Sequence, residues 1–224
     1  MTTRTGEELK IYYCEKLGKD FGEYFFEIYS QTVWLFVEWE QYKKLFTDEK
    51  TVEILNKTAK SYFALQQRIQ FNNVVLNVAK LLDNVKVVRY ENLTYLRLAS
   101  YIKDENFRSV IEDDLVLLKG EREAIKNLRD NLLAHNGLEC ILSEGMKADA
   151  FSAVTLGKVD TILNLIESVF QKVYSHYFHA YISFNDTLFK FGAGNLIYML
   201  KNGLRLEKIR RENPDYDPSF WKEN

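Results

Sequence analysis

The segment Lys126–Gly137 contains the residues of this chain whose types and spacing could together carry chemistry. Arg129 is a permanent cation, and His135 has an imidazole that exchanges protons near neutral pH. A fixed guanidinium stabilises an anion and an imidazole transfers a proton, so the pair suits acid–base chemistry on an anionic group. Asp130 and Asn131 lie between them, and Asn131 stands one helical turn before His135, where its amide can orient the ring.

These side chains are predicted to lie near the C-terminal end of a helix. Leucines recur at helical spacing, and Asn136-Gly137 tolerates the left-handed conformation that ends helices. At about 100° per residue, Arg129 and His135 lie roughly 60° to either side of Leu132, with backbones roughly 9 Å apart along the axis. A two-fold axis near Leu132 would bring Arg129 of one copy to His135 of the other. The spacing therefore favours a composite site in a homodimer, and a hydrogen-bonded or solvated helix end is the alternative that the residues leave open.

Basic side chains form one stripe that leads to this segment and a second group near the C-terminal end. The first stripe recurs at helical spacing, which places its members along one face, and the second group lies on the last predicted helix. Both suit contact with phosphates, although a solvated face is the usual reason for such a pattern and Glu121 and Glu123 dilute the first stripe. The candidate phosphate-binding residues are Lys119, Arg122 and Lys126 in the first stripe and Lys201, Arg205 and Lys208 in the second group.

The composition and periodicity predict an all-α fold. Hydrophobic residues make up 46% of the 224 positions, which is ample for a core, and prolines occur only near the C-terminal end. Asn92 and Thr155 are expected to cap helices. Gly120 is expected to break or kink a helix, and one continuous helix or two stacked helices both fit 106–135. Helices are predicted at 5–17, 19–46, 49–56, 59–82, 92–101, 106–135, 156–180 and 195–212, with a partly extended connector at 83–92. No linker divides the chain, so a single helical domain is expected at 1–212, with a tail at 213–224.

The charge balance, the cysteines and the hydropathy pattern exclude several classes of protein. A formal net charge of −2 excludes a globally basic nucleic-acid binder, so any such contact must rely on a local patch. Cys14 and Cys140 lack CxxC spacing, and His176 and His179 have no cysteine or aspartate nearby, so neither a disulfide nor a metal site is expected. The opening residues lack the apolar core of a signal peptide, and no apolar stretch is long enough to span a membrane. We expect a cytoplasmic protein without a metal or other cofactor.

The segment from Arg129 to His135 resembles the signature of the HEPN superfamily, in which an arginine and a following polar residue precede a histidine by four to six residues near a helix end. The wider chain, from about residue 20 to 205, is similar to the abortive-infection branch of that superfamily, which is linked to bacterial phage defence. The other matching segments are Trp39-x-x-Tyr42-x-x-Leu45-Phe46, Ala79-Lys80-Leu81-Leu82-Asp83 and Asn92-Leu93.

The resemblance implies a multi-helix bundle with long antiparallel helices and a homodimer with the motif at or near its interface. In many members it also implies metal-independent endoribonuclease activity. Arg129 and His135 would then be the catalytic pair, with Asp130 as the polar residue after the arginine and Asn131 in a supporting role. Attack of a ribose 2′-hydroxyl on the adjacent phosphate needs proton transfer and stabilisation of a dianionic phosphorane. Imidazole and guanidinium supply both without a metal.

The leading hypothesis is therefore a HEPN protein that cleaves RNA at a composite dimer site, in phage defence or as a toxin, and leaves 2′,3′-cyclic phosphate ends. The two basic groups would bind the RNA, and an antitoxin or another protein would be a further partner. The alternative is a non-catalytic HEPN dimer that holds a nucleic acid or a protein.

Overall fold

The computed structural model describes residues 4–133, 142–144, 146, 153–184 and 189–213, and most of them are helical. The α-helices are α1 (Gly6–Leu17), α2 (Lys19–Phe46), α3 (Glu49–Leu81), α4 (Glu105–Leu128), α5 (Leu156–Phe178) and α6 (Ala193–Glu212). Between α3 and α4 lie an antiparallel hairpin, β1 (Lys86–Val87) and β2 (Tyr90–Glu91), and a 3₁₀ helix (Tyr95–Tyr101). A π-helical turn (Arg129–Leu133) follows α4 directly. The predicted all-α fold class is confirmed.

Local side-chain caps explain where several of these helices begin. Thr5 and Glu8 form a reciprocal capping box at the start of α1, with hydrogen bonds of 2.7 and 3.3 Å. Asp104 and Thr155 each accept the N–H of the third residue of the helix that follows, α4 and α5 respectively. The predicted cap at Thr155 is confirmed. Gly18 follows α1 with φ 84°, a backbone conformation that favours glycine, and so ends that helix.

Three local predictions can be compared with the structure in detail. The helix after the hairpin is capped by Thr94, whose hydroxyl accepts the N–H of Leu96, because Asn92 is used to close the hairpin through its hydrogen bond to the Asn84 carbonyl. Gly120 lies within a continuous α4, since buried residues hold the helix on both sides of it. The two helices predicted at 49–56 and 59–82 correspond to the two parts of α3, which are separated by a kink at Ala59, whose φ/ψ are non-helical.

The chain folds into two compact units. The first comprises residues 1–36 and 72–187, and its core lies where the inward face of α4 packs on α5. Lys172 reinforces this packing by an ion pair of 2.6 Å with Asp114. The second comprises residues 37–71 and 188–224, and its core is formed by Leu45, Leu55, Phe63 and Ala193. The single domain expected at 1–212 stays a prediction.

Buried tyrosines link α1, α2 and α5 within the first unit. The hydroxyls of Tyr13 and Tyr174 hydrogen-bond to each other in a cluster of aromatic rings. Burial, the main cause, raises the pKa of both phenols well above the ordinary value of about 10, and the pKa of Tyr24 and Tyr95 is raised for the same reason. The folded state therefore retains these protons more tightly than the unfolded state. Their contribution to stability is fully present below about pH 10 and is lost as the pH rises above it.

The Tyr13→Phe variant should show a weaker loss of stability at alkaline pH than the wild type. Each tyrosine that stays protonated only in the folded state steepens the fall in the free energy of unfolding by up to about 1.4 kcal/mol per pH unit. Urea unfolding followed by circular dichroism between pH 8 and pH 11 measures this slope. Tyr198→Phe is the matched control, because Tyr198 is 61% exposed and should leave the slope unchanged. Equal slopes for Tyr13→Phe and the wild type would contradict the assignment.

Candidate functional site

The candidate site begins where α4 changes into the π-helical turn. Apolar residues on the inward face of α4 are buried as far as Leu128, which fixes the helix up to the residue before Arg129. The N–H of Arg129 still donates to the carbonyls of Ile125 and Lys126. Helical turns of the π type occur frequently at functional sites. They do not follow the 100° rotation of an α-helix, so angular positions taken from an α-helical wheel do not apply within Arg129–Leu133.

Arg129 is held by two carboxylates. Its Nε donates to Asp130 Oδ1 at 2.6 Å and its Nη1 donates to Asp83 Oδ2 at 3.1 Å. Its side chain is 18% exposed. The hydrogen bond to Asp130 is the largest cause that raises the pKa of Arg129 above its ordinary value; Asp83 acts in the same direction, and burial opposes both. The guanidinium is therefore charged and fixed at two of its three nitrogen atoms.

Asp83 also contacts a second arginine, Arg122. Arg122 Nη2 lies 3.8 Å from Asp83 Oδ1, and Arg122 Nη1 donates to Asn84 Oδ1 at 2.9 Å. Arg122 is only 5% exposed, because it lies on the same buried face of α4 as Leu118 and Ile125. The prediction that Arg122 belongs to a solvated, phosphate-binding stripe is therefore corrected: it lies on the inward face. It supports Asp83 from inside the protein.

The segment after α3 positions Asp83 and Asn84. The buried Thr94 hydroxyl lies 2.8 Å from the Asp83 carbonyl oxygen and 2.9 Å from that of Leu81, and Tyr24 donates to the Thr94 carbonyl at 2.6 Å. Sequence reasoning missed the role of Asp83. One signal was present, since a carboxylate at the C-terminal end of a helix faces the negative end of the dipole and requires a compensating cation.

The remaining cations of the first stripe lie at or near the surface of α4. Lys119 is exposed, and Lys126 is half-buried beside an open depression that reaches Asp130. The depression combines one cation with two carboxylates. It is lined by Glu123, Ala124, Lys126, Asn127 and Asp130.

The second basic group lies on α6, within the second unit. Lys201, Arg205 and Lys208 are all exposed there, and Lys208 also forms a surface ion pair of 3.6 Å with Glu212. A surface pair of this kind costs little to open. These cations are therefore accessible to an anionic ligand, and their role in binding one stays a prediction.

The side chains of two predicted site residues lie outside the described part of the structure. His135 lies outside the described residues, and for Asn131 only the backbone, within the π-helical turn, is described. The structure thus brings Arg129 and Asp130 together and adds Asp83. The predicted pairing of Arg129 with His135 across a two-fold axis stays a prediction.

Neither a membrane-spanning helix nor a metal-binding cluster is found within the described part of the chain. None of its helices combines enough length with enough apolar character to cross a bilayer. Its His, Cys, Asp and Glu side chains form no group of three or more that could hold a metal ion. His176 instead stacks on Phe107, with ring centroids 3.9 Å apart and planes 2° from parallel.

Comparison with known proteins identifies a family. The family model described as HEPN_AbiU2 (AbiU2) matches residues 18–190, which include the whole segment from Arg129 to His135. The resemblance inferred from the sequence is thus confirmed at the level of the family. No curated protein and no solved structure matches the chain.

Proposed function

The chain belongs to the HEPN AbiU2 family, and on this basis we propose that it is a metal-independent endoribonuclease acting in phage defence or as a toxin. The observation that carries the proposal is the geometry of Arg129, the first residue of the Arg–His motif. Its guanidinium is charged, partly buried and fixed by Asp83 and Asp130. A fixed guanidinium of this kind can stabilise charge that develops on a phosphate during reaction.

The proposed reaction is an internal transesterification of RNA. The ribose 2′-oxygen attacks the adjacent phosphorus, the bond from phosphorus to the 5′-oxygen breaks, and a 2′,3′-cyclic phosphate and a 5′-hydroxyl result. His135 transfers one of the two protons, either the one that leaves the 2′-hydroxyl or the one that the 5′-oxygen gains, and water accepts or supplies the other. Arg129 stabilises the phosphorane between these steps. A guanidinium has five N–H donors, so the two described hydrogen bonds do not exhaust its capacity.

The charges around Arg129 indicate which residues attract the RNA. Arg122 and Arg129 are balanced by Asp83 and Asp130, so this cluster has no net charge with which to draw a phosphate from solution. The attraction must come from cations outside this cluster. We assign it to Lys119 and Lys126 on α4 and to Lys201, Arg205 and Lys208 on α6, and binding should weaken as salt rises.

The proposed active unit is a cytoplasmic homodimer. Arg129 of one chain and His135 of the other would complete each site, because a two-fold axis repeats every contact. An antitoxin or another protein partner stays a prediction of the family resemblance.

The first test uses purified protein, EDTA and a pair of matched oligonucleotides. A single-stranded RNA should be cut in EDTA and should carry 2′,3′-cyclic phosphate ends, because attack by the 2′-hydroxyl needs no metal. The same oligonucleotide with a 2′-deoxy nucleotide on the 5′ side of the cut should stay intact, since it lacks the nucleophile. Gel electrophoresis separates the products, and mass spectrometry assigns their ends.

The outcome of this experiment distinguishes a wrong mechanism from a non-catalytic protein. Cutting of the 2′-deoxy oligonucleotide, or cutting that EDTA abolishes, would reject the proposed mechanism. Binding of RNA without any cleavage would favour the non-catalytic HEPN dimer, for which the exposed cations of α4 and α6 would be sufficient.

A further inference from the structure

We infer that Asp83 is a positioning residue for Arg129, and that it orients the guanidinium toward the RNA phosphate. The inference rests on the proposed function and extends it to a residue outside the Arg–His motif. Asp83 is 46 residues from Arg129 in the chain, and its Oδ2 accepts the Arg129 Nη1 hydrogen bond at 3.1 Å.

Asp83 is more than the partner of a mobile surface ion pair. Its two oxygen atoms contact two different guanidinium groups, those of Arg129 and Arg122. The Arg122 side chain is 6% exposed, so its position is fixed by packing. The main chain at Asp83 is fixed as well, through the hydroxyl of the buried Thr94. Because Asp83 is fixed at its main chain and by Arg122, its carboxylate can hold the Arg129 guanidinium in one orientation.

This orientation matters because an arginine side chain has many rotamers. The backbone at Arg129 fixes only the first atoms of that side chain, and the hydrogen bond to the neighbouring Asp130 is local and half exposed. The contact with Asp83 ties the guanidinium to the end of α3, an element remote in sequence. Preorganised donors stabilise a transition state more than mobile ones, since no reorganisation is needed during the reaction.

A competing role for Asp83 makes the opposite prediction. If its carboxylate mainly competed with the phosphate for Arg129, removal of its charge would increase cleavage. Positioning predicts a loss. The direction of the change in kcat therefore distinguishes the two roles.

The experiment compares Asp83→Asn with the wild type on an RNA oligonucleotide that is cut once. Asp83→Asn should lower kcat by about tenfold or more and change KM by less than about threefold, because RNA attraction depends on cations elsewhere. The matched control is Asp113→Asn, which removes an exposed carboxylate from α4 and should leave both constants unchanged. A kcat within threefold of the wild type, or an increase, would overturn the inference.

A second variant separates positioning from simple stabilisation of Arg122. Asp83→Asn leaves the buried Arg122 cation without its carboxylate and should lower the melting temperature. The double variant Asp83→Asn/Arg122→Gln removes both charges and should recover the melting temperature while kcat stays low. Recovery of kcat together with stability would assign Asp83 to Arg122 alone and would overturn the inference.

An activity-independent measurement keeps the inference testable if the wild type cuts no RNA. In that case the proposed function fails, and NMR of the arginine Nη protons shows whether Asp83 orders Arg129. Arg129→Lys identifies the resonances. Slowly exchanging Nη signals that are lost in Asp83→Asn but kept in Asp113→Asn would support the positioning contact, and unchanged signals would overturn it.

Discussion

Arg129→Ala should lower the rate of RNA cleavage at least about a hundredfold, because removing one group that stabilises developing negative charge typically costs a factor of about 10² to 10³. His135→Ala should abolish cleavage to a similar or greater extent, since proton transfer contributes about 10² to 10⁴. Single-turnover rates on an RNA oligonucleotide in EDTA measure both effects. RNA affinity should fall only modestly, because the attraction is assigned to cations outside the cluster, although the loss of Arg129 leaves two carboxylates with one arginine there.

Arg129→Lys is the informative companion variant. It keeps the positive charge but lacks the planar fork that contacts Asp83 and Asp130 at the same time, so it should recover little of the lost rate. Melting temperatures of all variants exclude unfolding as the cause, and identical purification excludes a contaminating nuclease. Undiminished cleavage in both alanine variants would refute the proposed site.

The second expected result concerns the homodimer. A heterodimer that combines one Arg129→Ala chain with one His135→Ala chain should regain about half of the wild-type activity per dimer, although each variant alone is inactive. If Arg129 acts with His135 of the other chain, the heterodimer contains one site with both residues intact and one with neither. If both residues act within one chain, every site in the heterodimer is defective.

Two different affinity tags allow the heterodimer to be purified from co-expressed chains before the rate is measured. A heterodimer of Arg129→Ala with a double Arg129→Ala/His135→Ala chain has no intact pair and should stay inactive, which makes it the control. No recovery in the first heterodimer would reject the composite site. A monomeric variant with both residues intact should likewise lose activity.

Much of the fold could be predicted because its signals are local. The bounds of α2 follow from the dense apolar periodicity between Lys19 and Phe46, and Thr155 has both the side chain and the position of an N-cap. The cap of the 3₁₀ helix could not be predicted in this way, because Thr94 caps it and not Asn92. Both residue types can cap, and the choice depends on the hairpin that Asn92 closes and on the α3 carbonyl group that Thr94 reaches.

The candidate site was only partly predictable for the same reason. The motif around Arg129 can be recognised from the sequence because its residues are contiguous. The contact with Asp83 cannot, because it joins residues far apart in the chain. Arg122 was misplaced because its charge was given more weight than its spacing. Its distances of four and three residues from Leu118 and Ile125 place it among the buried residues of α4, where a paired cation is stable.

The π-helical turn at Arg129–Leu133 begins at the residue whose guanidinium is held by Asp83 and Asp130. A π-type turn contains more residues than an α-helical one, so a chain can gain or lose a residue there without disturbing the helix before it. The contacts that hold Arg129 lie on α4, on Asp130 and on Asp83, close to or before the start of the turn. A residue could therefore be gained or lost after Arg129 in this chain while the contacts of Arg129 stay in place. Under the proposed function, such a change would alter the approach of His135 and leave the orientation of the Arg129 guanidinium unchanged.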